Sequence, residues 1–212
     1  MRIAFIGQSR GTSLHRSRAL ERLGHDVHVI DPWSWLKNSK WVGAWIYRTG
    51  AMGIGVYINQ RSLTYIRAIQ PEFILVDQGE FLNKALLRKL LKLNVPIVNY
   101  IIDDPFGGRD GLRFRSFLKA IACYDLIVLV REPNAAEAQA RGARNVLKVW
   151  MSADEVAHTP RVLSEDQGSQ HASEVVFWGT WMPEPERWPF MAELIQRDVP
   201  LYRFGATVAG IR

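Results

Sequence analysis

Two adjacent carboxylates, Asp103 and Asp104, stand in the stretch VPIVNYIIDDPFGGRDG, directly after an apolar run that reads as a strand. Ligands of open α/β sheets bind outside the carboxyl ends of the strands. A pair of acids at such an end can hold a metal, act as a base, or hydrogen-bond a sugar hydroxyl. The structural alternative is that one acid caps the following segment and the other is solvated. Holding two carboxylates together is costly without a use, so both are taken as candidate catalytic residues. Pro105 and two glycines then build a loop.

A second cluster lies in AFIGQSRGTSLHRSRALERLGHDVHVID, residues 4–31. A short strand meets glycine, a helix follows, and a second strand ends in Asp31. The dinucleotide fingerprint needs three closely spaced glycines; here Gly7-x-x-x-Gly11 is followed by Thr12, Ser13 and Leu14. A P-loop is excluded too, because no Lys-Ser/Thr follows a glycine. What remains is a small polar loop before a helix N-terminus, where free N–H groups and the helix dipole favour a phosphate or another polar ligand. Gly7, Arg10, Gly11, Thr12 and Ser13 are therefore candidate phosphate ligands; the alternative is an ordinary turn capped by Ser13 or Thr12. His15, one turn into the helix, is a candidate general base, although a lone histidine on a polar helix face is more often solvated.

Trp33, Trp35, Trp41 and Trp45 lie among Lys37, Lys40 and Arg48, and residues 33–48 contain no acid. Trp41 and Trp45 share a helix face. A basic aromatic helix can lie on an anionic membrane. Packing of these tryptophans onto the sheet, or in an acceptor pocket, is the favoured reading, with Trp41 or Trp45 largely buried and Lys37 and Lys40 exposed.

The elements that must position these residues alternate along the chain. Strands are predicted at 2–6, 26–30, 72–76, 96–102, 125–130 and 145–149, and helices at 13–23, 35–48, 54–69, 81–93, 112–122 and 133–141. Several strands are almost continuously apolar, as when both faces are covered. Gly24, Asn94 and Gly142 follow helices as stop signals. The pattern predicts an α/β fold, an open parallel sheet built of right-handed βαβ units. Residues 151–173 are polar and aperiodic and read as a linker. A strand at 174–178, a helix at about 186–197 and a strand at 200–204 form one further βαβ unit.

The 212 residues carry 27 Lys and Arg against 21 Asp and Glu, a net charge of +6, with a pI near 9.7. An anionic partner suits that balance, but the cations are scattered, so no specific nucleic-acid binding is expected. The single Cys123 excludes a disulfide framework and a cysteine zinc site. No signal peptide and no membrane span are legible, and a cytoplasmic location is expected.

The order of segments resembles the spore-maturation-protein-like (CgeB-like) glycosyltransferases. VDQGEFLNKALLRKLLKLNVPIVNYIIDDPF is similar to the family's strand, Gly-containing turn, helix, strand and Asp-Asp-Pro-Phe. YDLIVLVREPNAAEAQARGARNVLKVWMSADEVAHTP is similar to the strand–helix–strand that leads to a His-x-Pro linker, and EVVFWGTWMPEPERWPFMAEL to the start of the second domain. The resemblance implies a GT-B arrangement: a Rossmann-like acceptor-side domain over 1–150, and a donor-side domain beginning at 174–212. It implies transfer of a sugar from a nucleotide-sugar donor to a glycan, protein or lipid-linked acceptor, without metal or other cofactor. Asp103 and Asp104 would line the acceptor side, and Gly179, Thr180 and Arg187 would meet the donor diphosphate. The family's later Gly-rich donor segment is not among these residues, so a truncated donor half and little transfer by this chain alone are expected; peripheral membrane contact stays open. Two other readings stay open: a non-catalytic nucleotide- or metabolite-binding module, and a metal-dependent GT-A transferase using Asp103 and Asp104. A dehydrogenase is disfavoured by the missing third glycine.

Overall fold

A computed structural model describes residues 1–36, 39–171, 175–178, 187–197, 199 and 201–204. Two compact units are present, Met1–Thr159 and Pro160–Arg212.

In the first unit six strands form one parallel sheet in the order β2-β1-β3-β4-β5-β6. They are β1 (Arg2–Ile6), β2 (Asp26–Ile30), β3 (Phe73–Asp77), β4 (Ile97–Ile101), β5 (Leu126–Leu129) and β6 (Val146–Lys148). The inner strands are the apolar ones. Ile3, Ala4, Phe5 and Ile6 of β1 are all buried, whereas β2, on the edge, buries only Ile30. The crossover helices are α1 (Gly11–Arg22), α2 (Lys40–Thr49), α3 (Gly55–Ile69), α4 (Lys84–Leu91), α5 (Arg115–Ala120) and α6 (Glu132–Ala140). This is the Rossmann-like open parallel sheet that strand–helix alternation predicts. The expected stop residues Gly24, Asn94 and Gly142 take φ of 83°, 56° and 87°.

Two helices differ from the sequence reading. Of the stretch 35–48, Trp35 ends a 3-10 turn begun at Pro32 and the helix proper, α2, starts only at Lys40, because two local caps start them separately. Asp31 accepts from the N–H groups of Trp33 and Ser34, and Ser39 Oγ accepts from Trp41 N–H at 3.2 Å. The stretch 112–122 shortens to α5 followed by a 3-10 turn at Ile121–Cys123.

The burial expected of Trp41 or Trp45 is also corrected: Trp41 is 86% and Trp45 48% exposed. The two do share a face, but the next row round the helix, Val42 and Ile46, meets the core. Trp33 and Trp35 do pack against that core. Lys40 is exposed, and Lys37 lies outside the described residues.

The segment read as a linker contains α7 (Glu165–His171), started by a reciprocal cap. Ser164 Oγ accepts from Gln167 N–H at 3.3 Å and Gln167 Oε1 from Ser164 N–H at 3.2 Å, the capping-box exchange. In the second unit β7 (Val175–Trp178), α8 (Arg187–Gln196) and β8 (Leu201–Phe204) form a βαβ unit with parallel strands.

Candidate functional site

In this strand order the connection reverses direction between β1 and β3, and a crevice opens there at the carboxyl edge. A cleft of about 380 Å³ occupies it. One wall is the first loop and the start of α1, with Gly7, Gln8, Arg10, Gly11, Thr12, Ser13 and Arg16. The other is the end of β3 and its loop, from Asp77 to Leu82, with Pro32, Trp33 and Arg113 closing the sides.

Close approach builds the first wall. A Cβ on Gly7 would stand 2.6 Å from Ser13 Oγ, 2.7 Å from Phe5 and 2.9 Å from Asp77 Cβ. Gly7→Ala is therefore expected to lose about 1–3 kcal/mol of stability by overpacking, checked by urea unfolding. Arg10 occupies the position before α1, and no side chain caps the helix; Thr12 and Ser13 lie inside it. The first-turn N–H groups thus remain at the cleft. Asp31, the acid that ends β2, does not project to a ligand. Its Oδ2 accepts from Ser9 N–H at 2.9 Å and Ser9 O–H at 2.7 Å, tying the first loop to the β2 end.

Two buried asparagines hold the second wall. Asn99 of β4 donates to the carbonyls of Val76 and Gln78. Asn59 of α3 donates to Phe81 O at 2.8 Å and accepts from Asn83 N–H at 3.0 Å. Between these anchors the chain turns through Gly79 (φ 86°), whose Cβ would meet Asn99 Nδ2 at 2.9 Å.

The cleft holds two ion-pair systems. Arg16 Nη2 meets both oxygens of Asp77, at 2.9 and 2.8 Å, and its guanidinium lies 4.9 Å from the Tyr100 ring centroid. Arg113 Nη2 donates to Glu80 Oε1 at 3.3 Å, while its Nη1 donates to Asp103 Oδ2 at 2.9 Å. Glu80 also accepts from Trp33 Nε1–H at 3.2 Å and is only 4% exposed. Burial pushes its carboxyl above the usual carboxylate range, against the opposing charge of Arg113. Ser13 Oγ and Gln78 Oε1, both in residues lining the cleft, are buried without a hydrogen-bond partner.

The candidate residues separate accordingly. The first-loop set, Gly7, Arg10, Gly11, Thr12 and Ser13, all line the cleft. Asp103 is not among the lining residues and is held by Arg113. Asp104 accepts from the N–H groups of Phe106 and Gly107, both at 3.0 Å, and so caps its own turn. The two acids are committed to different partners. His15 is not among the cleft residues; its ring stands edge-on to His158, with centroids 5.3 Å apart, in a hollow of about 70 Å³. Gly179 and Thr180 lie outside the described residues, as does the side chain of Arg187 at the start of α8. Among the described residues no group of three or more His, Cys, Asp and Glu could hold a metal. Asp77, Glu80 and Arg113 were not singled out from sequence. The available signal was the acid at each strand or turn end in VDQGE.

The hollow beside His15 has its own electrostatics. Arg22 binds Asp154 at 2.7 Å and Glu155 at 2.9 Å, fastening 152–158 to α1. The N–H of Ala157 and the Arg22 guanidinium hold the Asp154 carboxyl down at about 2. A depressed folded-state value stabilises above the ordinary 3.8 and is lost as pH falls through the folded value. Protection of the Val156 and Ala157 amides, relative to the exchange rate of an unstructured chain at the same pH, is thus expected to hold at pH 4 and fall towards pH 2, and Asp154→Asn to remove that dependence.

Solved structures match the chain in fold. Apo UGT2 of Phytolacca americana aligns at TM-score 0.53 and 10% identity, covering 100% of this chain and 66% of that one. UGT73P12 of Glycyrrhiza uralensis, complexed with glycyrrhetinic acid 3-O-monoglucuronide, aligns at TM-score 0.55 and 7% identity, covering 98% and 69%. The fold is that of the GT-B glycosyltransferases. The chain spans about two thirds of the length of these structures. No family model and no curated protein matches it.

Proposed function

We propose that the cleft between the β1 and β3 loops is the acceptor side of a GT-B glycosyltransferase site, and that Glu80 is its general base. The observation that carries this reading is a buried carboxyl of raised proton affinity in the crevice at the β1/β3 reversal. Raised proton affinity makes the carboxylate a stronger base towards a hydroxyl than an ordinary one. The acceptor O–H gives its proton to Glu80, and the oxygen attacks the anomeric carbon of a nucleotide sugar. The bond from that carbon to the diphosphate breaks, and the diphosphate leaves with the electron pair. Trp33 Nε1–H and Arg113 hold the carboxylate in place. Ser13 and Gln78 line the same cleft beside Glu80, where a polyhydroxyl acceptor would lie. The uncapped start of α1, with Arg10 beside it, suits the donor phosphates. Asp103 acts here by positioning Arg113, and Asp104 by shaping its loop. Gly179, Thr180 and Arg187 remain the residues proposed to meet the diphosphate from the donor half.

The test is acceptor-dependent nucleotide release from a panel of UDP-, GDP- and dTDP-sugars. Release that Glu80→Gln abolishes and Asp103→Ala only weakens supports the reading. Release untouched by Glu80→Gln overturns the assignment of Glu80 as the base.

A further inference from the structure

We infer that the corner formed by α2 and the start of α3 docks on an anionic membrane surface. This inference does not rest on sugar transfer. The corner carries large apolar side chains in the open: Trp41, Trp45, Met52 at 60% exposure and Val56 at 64%. Trp45 Nε1–H donates to Met52 O at 3.0 Å, so the indole lies across the turn between the two helices.

The exposure is built in rather than left by a loose helix. Ile46 is fully buried on the neighbouring row of α2. Leu112 N–H donates to Tyr47 O at 2.8 Å, and Gly50 ends the helix at φ 64° against Leu112 O. The Trp41–Trp45 face is thereby fixed outward.

Charge decides the occupant. From residue 32 to residue 71 the chain has no acid, and of its five cations Lys40 and Arg48 stand exposed on α2. Asp110, in the loop that packs beside Tyr47, is held by Arg109 and Arg113. A second copy would bring the same cations against these, which like-charge repulsion opposes. An anionic bilayer complements them, and indole rings with a polar edge suit the headgroup boundary.

The experiment is vesicle flotation of the 212-residue chain with phosphatidylcholine alone and with phosphatidylcholine plus phosphatidylglycerol. Flotation with the anionic vesicles is expected to exceed that with neutral ones by at least about tenfold and to fall with salt. The double substitution Trp41→Ser/Trp45→Ser is expected to lose about tenfold in vesicle affinity, as is Lys40→Glu/Arg48→Glu. Both pairs lie on the surface, and circular dichroism spectra should show the fold retained in each variant. Absence of anionic-vesicle binding, or binding equal in all three proteins, overturns the inference. So does concentration-dependent self-association that the tryptophan variant loses while vesicle binding persists; that result assigns the face to a second copy.

Discussion

Glu80→Gln is expected to lower sugar transfer by about 10²–10⁴-fold, the range for loss of a general base, while making the fold more stable at neutral pH. Glu80 is buried, and its folded-state proton affinity is raised above the ordinary carboxyl value of 4.5. For a group raised in this direction the stabilisation is full below the unfolded value and is lost as pH rises through the folded value. Above the unfolded value burial of this carboxyl is therefore a growing cost. Glutamine keeps an oxygen for Trp33 Nε1–H and for Arg113, and Arg113 keeps Asp103 and Asp110. The gain is expected as a rise in melting temperature at pH 7. The decisive signature is its pH dependence. The stability difference between variant and parent should be near zero at pH 4 and grow in the variant's favour as pH rises. A glutamine variant that is less stable at pH 7, or that still transfers sugar at the parental rate, would show that Glu80 is a structural ion-pair partner only.

Arg113→Met should have the opposite sign and a larger size. The guanidinium is the shared partner of Glu80, Asp103 and Asp110, and its side chain is itself largely buried. Removing one partner of a buried ion pair leaves uncompensated charge, at a cost of about 3–5 kcal/mol. Methionine fills much of the volume against Phe114, so lost charge rather than lost packing dominates. The double variant Arg113→Met/Glu80→Gln should recover part of the loss, giving a coupling energy of about 1–3 kcal/mol in a double-mutant cycle. Urea unfolding measures all three proteins. Strictly additive effects would mean that Glu80 and Arg113 do not share the interaction described.

Much of the fold was legible because local patterns state it. Continuous apolar runs marked the inner strands, and a stop residue marked the ends of α1, α4 and α6. The lack of a third glycine, read from spacing alone, separated the first loop from a dinucleotide turn. The structure adds that both oxygens of Asp31 are spent on Ser9, Trp33 and Ser34. The box that starts α7, Ser164 with Gln167, was equally readable and lay hidden in a polar stretch with no apolar period.

What the chain could not state locally was adjacency. Asp103 and Asp104 drew attention because they are neighbours in sequence, yet one caps a turn and the other reaches Arg113, ten residues on. Glu80 is a single acid among ordinary neighbours until the strand order sets its loop beside the first one and Trp33 and Phe81 take it out of water. Burial is what raises its proton affinity, and burial is a property of the assembled layers. The same holds for α2. Helical period places Trp41 with Trp45 and Val42 with Ile46, but the two rows are only about 100° apart. Which row turns to the core is settled by the fit of Ile46 into the space the sheet leaves, and that space exists only once the strands have paired.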